Sequence, residues 1–306
     1  MITRSLQELF VDRLVQLERF RKSLDGASGR RTILIEAASG MGKSWLLQQF
    51  TYEATQNGAG AVLIDFSDGQ AYDVITLARR FRDALGGHHF NRLTAAINEA
   101  TSPRLVISDL SNHASSSSVA FGNNAQLGDV SIGDVAGGSI IKDNLFVVQT
   151  DNPLLLQAIE DRITQALFLC LGDLAATKRL LFCFDSYERT AQSGEEWVPT
   201  AADRWLTTQL FARIRDGRLP NTVAVLAGRR LPAFGAEWGQ VVGRMDLHLF
   251  TPDDVAEYLR INRGLSSLTD TEIQTLYNAV QGNPQLLGII GDNLEQSSRP
   301  VADDDW

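Results

Sequence analysis

The sequence predicts an α/β protein: a three-layer sandwich with a parallel sheet between two layers of helices, followed by a small C-terminal helical lid. Three observations predict it. From Ile33 to Leu47 the chain reads as an apolar strand, a tight glycine-containing loop and an apolar-periodic helix. Continuous apolar runs of strand length recur at Ala61–Phe66, Arg179–Asp185 and Asn221–Gly228, separated by helical patterns, as expected of parallel strands buried on both faces. After Thr251 the pattern turns wholly helical.

The loop Ala37-Ala38-Ser39-Gly40-Met41-Gly42-Lys43-Ser44 follows the layout of a P-loop NTPase, strand, G-x-x-x-x-G-K-[ST], helix, with Ala37 in the place of the first glycine. An alanine fits there when its φ stays negative. Gly40 and Gly42 let the backbone adopt conformations a Cβ resists, so that successive N–H groups point inward at phosphate oxygens. The helix that starts at the loop adds the partial positive charge of its unpaired N–H groups. Lys43 is expected on the β- and γ-phosphates, and the Ser44 hydroxyl on Mg²⁺. The nucleotide-binding set is therefore Ala38, Ser39, Gly40, Met41, Gly42, Lys43, Ser44 and Trp45. Only four lysines occur in the chain, Lys22, Lys43, Lys142 and Lys178, and one falls at this position. The plain alternative, a glycine turn that happens to precede Lys43 and Ser44, does not account for the strand and helix on either side.

Composition narrows the rest. The chain has 306 residues, a length for one large domain or two smaller ones, and 44% hydrophobic residues supply a sizeable core. A formal net charge of −9 and a pI of about 5.0 give no general attraction for phosphate backbones. Nucleic acid is not the default partner, although a local basic patch is compatible with that balance. Cys170 and Cys183 lie inside apolar runs and read as buried small hydrophobes, not as a disulfide or zinc framework. No apolar run reaches membrane-spanning length and the N-terminus lacks a signal-peptide core, so a reducing cytoplasm is the simplest address.

In chain order, Leu6–Leu24 is an amphipathic helical stretch closed by the turn cluster at 25–29. The helix after the loop runs to Gln56, where Asn57 and Gly58 end it. Asp65 closes the next strand and is read as a loop cap. Asp73–Leu85 is helical, with Arg79, Arg80 and Arg82 on a solvated face. His88 and His89 have no third ligand nearby, so metal binding is not the reading there. Residues 104–150 change character, with a serine run at 115–118 and then glycine, small polar and β-branched residues in alternation. This stretch reads as an inserted Gly/Ser-rich β-hairpin or flexible flap, a place for self-association or partner contact.

Asn152 and Pro153 open a long helix to about Leu174, and the apolar strand that starts at Arg179 then ends in an acidic residue, Asp185, the Walker B form. A carboxylate at the C-terminal end of a parallel strand lies on the ligand edge of the sheet and is placed to hold Mg²⁺, so the metal set is Ser44 and Asp185. Glu188 is placed to orient or deprotonate an attacking water, or it is a helix N-terminal carboxylate favoured by the dipole; both readings stand. Asp203–Arg215 is the next helix. The strand that follows ends at Arg229 and Arg230. An arginine there points toward the γ-phosphate, where it reports nucleotide state and stabilises transferring phosphate; the alternative is a surface pair before Pro232. Glu188 and Arg229 form the catalytic set. A fifth short strand is predicted over Asp246–Phe250. Thr251 then N-caps the first of three helices, Pro252–Arg260, Thr269–Gln281 and Pro284–Glu295. The partition is a core at 1–250, a lid at 251–296 and a polar tail at 297–306.

The order of these parts resembles the STAND class of P-loop NTPases, relatives of AAA+ proteins that include the NACHT and NB-ARC modules. Ala37–Ser44 is similar to the Walker A loop. Phe184-Asp185-Ser186-Tyr187-Glu188 is similar to the bacterial Walker B form, and Ala227-Gly228-Arg229 to the sensor-1 arginine at a strand end. Gly282-Asn283-Pro284, followed by Gln285-Leu286-Leu287, resembles the Gly-x-Pro junction of the helical subdomain, whose proline side faces the adenine in that class. Phe10-Val11-Asp12-Arg13 resembles the apolar-Gly-Arg-Glu entry motif near the base, with Asp12 in place of Gly and Leu14 in place of Glu. The resemblance covers most of the chain apart from 104–150. It implies a sheet of order 5-1-4-3-2, ATP or ADP with Mg²⁺, and Asp12, Arg13 and Pro284 as further nucleotide contacts. STAND proteins usually carry an effector at one end and a winged helix with sensor repeats at the other. This chain begins almost at the core and ends just past the lid, so the expectation is an excised piece, or an effector and sensor acting in trans.

Three functions follow. The first is a slowly hydrolysing ATP switch that controls assembly or a partner effector, of a signalling or anti-phage type as the resemblance implies. Its partners are nucleotide and a protein partner or a second copy of the chain. The second is a degenerate scaffold that holds nucleotide without turnover. The third, an AAA+-like DNA-associated ATPase, is opposed by the acidic balance and by the lack of a convincing arginine-finger motif.

Overall fold

The computed structural model describes residues 8–101, 153–194 and 196–297. Five parallel strands, β1 (Thr32–Glu36), β2 (Gly60–Asp65), β3 (Leu180–Asp185), β4 (Thr222–Gly228) and β5 (Val242–Arg244), form one sheet in the order β2-β3-β4-β1-β5. This is the predicted order 5-1-4-3-2 seen from the other edge. All residues of β3 and β4 are buried, which is why their sequences are apolar throughout.

Alternate strand residues feed two separate cores, as the period of two requires. Ile33, Ile35, Leu181, Cys183, Val223 and Val225 face α1 (Leu14–Leu24) and α2 (Lys43–Gln56). There Phe20 of α1 stacks on Phe50 of α2 with ring centroids 4.1 Å apart. Leu34, Leu180, Phe182, Phe184, Ala224 and Leu226 face the opposite layer. That layer holds α3 (Val74–Leu85), α4 (Asn91–Thr101), α5 (Pro153–Thr177) and a helical stretch running from α6 (Ala201–Trp205) through a π turn (Leu206–Phe211) to α7 (Ala212–Arg215). A third cluster lies beyond the sheet. Val255, Leu259, Ile273, Val280 and Leu287 hold together α8 (Pro252–Glu257), α9 (Asp270–Val280) and α10 (Pro284–Ser297), and Val11 and Phe250 reach into the same cluster. Thr251 and Thr269 each close a capping box, with Asp254 and Glu272. Cys170 and Cys183 are buried free thiols, and burial pushes the Cys183 thiol up to about 12. No helix among the described residues is long and apolar enough to cross a membrane.

Several expectations need correction. The fifth strand is Val242–Arg244, not Asp246–Phe250. Residues 246–250 alternate polar and apolar like a strand, but their backbone groups are satisfied without a ladder. Gln16 donates to the Asp246 carbonyl (2.9 Å), Arg13 to the His248 carbonyl (2.8 Å), and the Phe250 N–H to the Gly282 carbonyl (2.8 Å). The segment therefore bridges sheet and lid. Among the described residues the first helix begins at Leu14, because Asp12 and Arg13 both take positive φ, 59° and 68°. The long helix continues to Thr177, beyond Leu174. Helix α4, whose Leu93, Ala96 and Ile97 are buried, was not anticipated from sequence. The predicted insertion at 104–150 and the tail beyond Ser297 lie outside the described residues.

Gly282 explains why the lid needs glycine at its last helix junction. Its φ is +71°, and a Cβ there would run into the Phe250 carbonyl oxygen. Gly58 also has positive φ, +75°, but open space around it. Gly282→Ala is expected to cost at least about 2 kcal/mol in urea unfolding, against about 1 kcal/mol for Gly58→Ala, whose cost is backbone strain alone. Equal losses would show that the Gly282–Phe250 packing is not a constraint.

Candidate functional site

The P-loop joins the C-terminal end of β1 to α2. Gly40 and Gly42 take φ of +79° and +83°. Gly42 is the N-cap of α2, and no side chain caps it, so the amides of the first turn carry no side-chain acceptor. Lys43 lies over the loop, with its Nζ donating to the carbonyls of Ala37 and Ala38, both at 2.7 Å. Burial lowers the Lys43 pKa, and the charges of Glu188 and Asp185 act in the opposite direction.

The ends of β3 and β4 bring the acidic and basic groups to the same edge. Asp185 Oδ1 accepts the Ser186 N–H at 2.8 Å, and the Ser44 hydroxyl is near enough to act to lower its carboxyl pKa. Asp185 is only 6% exposed, and burial pushes its carboxyl above the usual range, with Asp65 on the neighbouring strand adding to the effect. Asp65, register partner of Asp185 across β2 and β3, accepts the N–H and hydroxyl of Ser67 at 2.9 and 2.8 Å, which makes it a loop cap. The nearby Ser186 hydroxyl also acts to lower the Asp65 pKa. Ser186 sits in the left-handed region, φ 54°, with its N–H on Asp185 Oδ1.

Glu188 and Arg229 meet directly. The Arg229 Nε donates to Glu188 Oε1 at 2.7 Å and the Arg229 N–H to Oε2 at 3.0 Å. Burial raises the Glu188 carboxyl, but the Arg229 bonds outweigh it, and the pKa is lowered. Gly228 leaves room for this pair, since a Cβ there would stand 2.8 Å from Glu188 Oε2. Arg229 is 57% exposed in its side chain and Glu188 is 15%.

The lid closes the site from the far side. Asn283 Oδ1 accepts the N–H groups of Gln285 and Leu286, and the Gln285 N–H also reaches the Gly40 carbonyl at 3.1 Å. The start of α10 thus rests on the P-loop, with Pro284 over Gly42. Between core and lid lies a cavity of about 520 Å³. Its wall includes Ser39, Gly40, Gly42, Lys43, Ser44 and Trp45, and also Arg13, Asp185, Glu188, Arg229 and Pro284. Ala38, Met41 and Asp12 do not line it. The Ala38 carbonyl holds Lys43, Met41 packs into the α1–α2 core, and Asp12 pairs with Arg13 at 3.5 Å. Arg13 is buried, with its Nη2 on the His248 carbonyl and its guanidinium 5.1 Å from the Phe250 ring centroid.

The lining residues not singled out from sequence come mostly from the lid and its linker: Phe250, Tyr258, Gln285, Gly288, Ile289 and Asp292. Tyr258 is fixed by Arg263, whose Nε and Nη2 donate to its hydroxyl at 2.9 and 2.7 Å, while Nη1 pairs with Asp292 at 2.6 Å. A local pattern carries no trace of these residues, because tertiary packing alone brings them to the loop.

Oxygen donors from Ser44 and Asp185 side by side suit Mg²⁺, which takes one or two protein oxygens and completes its shell with water and phosphate. The positive-φ glycines, the uncapped helix start and Lys43 suit a phosphate chain.

No protein-family model matches the chain, and no curated protein does. Among solved structures, a Pyrococcus horikoshii STAND protein with a tetratricopeptide repeat sensor aligns at 14% identity and TM-score 0.47, over 96% of this chain and 31% of its own. The Thermotoga maritima RuvB Holliday junction branch migration motor aligns at 9% identity and TM-score 0.42, over 94% of this chain and 63% of its own. Aquifex aeolicus DnaA bound to AMPPCP aligns at 14% identity and TM-score 0.43, over 96% and 68%. The chain thus spans about a third of the first of these proteins and under two thirds of the second.

The raised carboxyl of Asp185 has a consequence for stability. A carboxyl whose pKa is higher folded than unfolded destabilises the fold as pH rises above its unfolded value, and the penalty is lost as pH falls below it. Asp185→Asn is expected to melt higher than the parent chain at pH 7 without nucleotide, with the gap closing as pH falls. The same variant is expected to lose the part of nucleotide stabilisation that depends on Mg²⁺. An Asp185→Asn chain that melts lower at pH 7 would contradict the burial penalty.

Proposed function

We propose that the chain binds ATP with Mg²⁺ between core and lid and acts as a slowly hydrolysing nucleotide switch, controlling self-assembly or a protein partner. The observation that carries this reading is the contact of α10 with the P-loop. Gln285 and Pro284 rest on Gly40 and Gly42, the glycines whose loop would hold the phosphates, so phosphate binding and lid position bear on the same atoms. A ligand shifts such an equilibrium by its differential affinity for the two lid positions.

The residues divide the work as follows. The loop amides and Lys43 would hold the phosphate chain, Lys43 exchanging its two loop carbonyls for phosphate oxygens. Ser44 and Asp185 would hold Mg²⁺, which neutralises charge on the phosphates. The apolar segment Leu9–Val11, with Ile289 and Pro284, would take the base. Arg229 would exchange Glu188 Oε1 for a phosphate oxygen. Its backbone N–H would keep Oε2, so the freed Oε1 stays aimed and can accept a proton from water.

The same pair supports a second reading, a scaffold that holds nucleotide without turnover, because both Glu188 oxygens are engaged by Arg229. A thermal-shift series with ATP, ADP and GTP, with and without Mg²⁺, tests binding, and phosphate release separates the readings. Lys43→Ala is expected to weaken nucleotide binding by about 1.5–3 kcal/mol, the worth of a charge-assisted contact. Unchanged binding by calorimetry would remove the assignment. Glu188→Gln is expected to bind nucleotide and lose turnover; a parent chain that binds but never releases phosphate leaves the scaffold standing.

A further inference from the structure

Away from the nucleotide cavity, a second hollow of about 370 Å³ opens beside the edge strand β5 and shares no lining residue with the first. Four cationic side chains line it, Arg19 and Lys22 from α1, Arg30 from the turn before β1, and Arg244 from β5, and no carboxylate does. In a chain of net charge −9, such a concentration runs against the overall balance. Converging cations repel one another, and the local acidic groups offset them only in part. Lys22 pairs with Glu18 at 2.6 Å on the exposed side of α1, and Arg244 reaches Glu36 only at 3.9 Å. Among the described residues no ion pair is recorded for Arg19.

The hollow is also built. The Arg30 stem lies flat on Gly243, where a Cβ would meet its Cγ at 3.3 Å, and its Nη1 donates to the carbonyls of Gly239 and Val242. These two bonds anchor the Arg30 side chain at the rim of the hollow, although the residue stays exposed. Ser28 is tied to the same turn, accepting the Arg30 N–H at 3.1 Å. Ile33 and Met245 give an apolar floor. The volume falls at the lower end of small-molecule sites. Guanidinium forks with a hydroxyl and an apolar floor suit a phosphate group on a compact organic body.

We propose that this hollow binds a phosphate-bearing small molecule, independently of the nucleotide cavity. The site lies on β1, the strand that runs directly into the P-loop, and Arg244 faces Glu36, the last residue before that loop. Occupancy therefore bears on the strand that carries the loop.

The test is calorimetric titration of inorganic pyrophosphate and of ADP into the Lys43→Ala chain, whose nucleotide cavity is weakened, and into the same chain with a second substitution in the hollow, so that the loss between the two reports the hollow whether or not the nucleotide reading holds. Both are expected to bind. In the component of binding that a substitution in the hollow removes, ADP binding more tightly than pyrophosphate identifies a nucleotide as the source, and equal binding identifies the phosphate group alone. Arg19→Ala is expected to weaken binding about tenfold or more, the worth of one charge-assisted contact. Arg19 is exposed, so the fold should survive its loss. Gly243→Ala, which lifts Arg30, gives a second variant with the same expected loss. The proposal is overturned if the Lys43→Ala chain binds neither compound, or if both further variants bind as well as it does. It is also overturned if a single-stranded oligonucleotide binds more tightly than ADP with steep salt dependence, which marks a polymer surface.

Discussion

A buried guanidinium holds the seam between sheet and lid. Arg13 is 4% exposed, and taking its charge out of water lowers its pKa, which Asp12 and Asp254 partly restore. Such a charge is tolerable only where its donors find acceptors. It finds them on two segments at once. The His248 carbonyl and Phe250, under the guanidinium, belong to the linker between β5 and α8, and Asp12 to the entry segment. The Met41 carbonyl of the P-loop lies at 3.4 Å from the same nitrogen. Asn262 adds to the seam from the lid side, donating to the carbonyls of Glu8 and Phe10. The positive φ of Asp12 and Arg13 is the backbone cost of turning the chain into this position. Entry segment, linker and P-loop thus share one charged group.

The sheet explains why the reactive groups meet. Parallel strands place all their C-terminal ends on one edge, so β1, β3 and β4 deliver the P-loop, Asp185 and Arg229 together without help from the loops. Charge then decides the detail. Lys43, Asp185, Glu188 and Arg229 satisfy one another and nearby backbone: lysine on loop carbonyls, aspartate on the Ser186 amide, glutamate on arginine. Every one of these bonds has a partner that a phosphate chain or a divalent cation can replace. The arrangement stores no unpaired charge, and it stays rearrangeable because Arg229 is largely exposed.

What was legible in the sequence was local or periodic. Ala37–Ser44 reads as a loop because glycine placement is a backbone matter, and β3 reads as a strand because a central strand is apolar at every position. The sheet order came from resemblance, since no spacing in the chain states which strands are neighbours. The fifth strand was misplaced because Gly243 interrupts the apolar signal of Val242–Arg244, while 246–250 imitates a strand in pattern only. The far wall of the cavity, with Tyr258, Ile289 and Asp292, was invisible for a different reason. These residues sit on lid helices whose apolar spacing encodes their own core, and their approach to the loop is decided by the seam around Arg13.

The Glu188–Arg229 pair is set by a frame to which neither residue belongs. Tyr187 is wholly buried beside Glu188, and its hydroxyl donates to Asp203 Oδ1 at 2.7 Å. The other oxygen of Asp203 accepts Trp197 Nε1 at 2.9 Å, and the Trp197 ring stacks on Tyr187 with planes 7° apart. Arg230, next to Arg229, lies over Trp197 at 5.4 Å and donates to the Gly194 carbonyl. One buried carboxylate therefore fixes the turn that carries Glu188 and, through Trp197, the residue that follows Arg229. With both backbones pinned, the freedom left at the pair is the rotation of the Arg229 side chain. A phosphate that draws the guanidinium away would leave Glu188 held by the Arg229 amide, in place and with one oxygen free. A change in nucleotide state could then be read as a single side-chain movement, without melting the turn or shifting the strand.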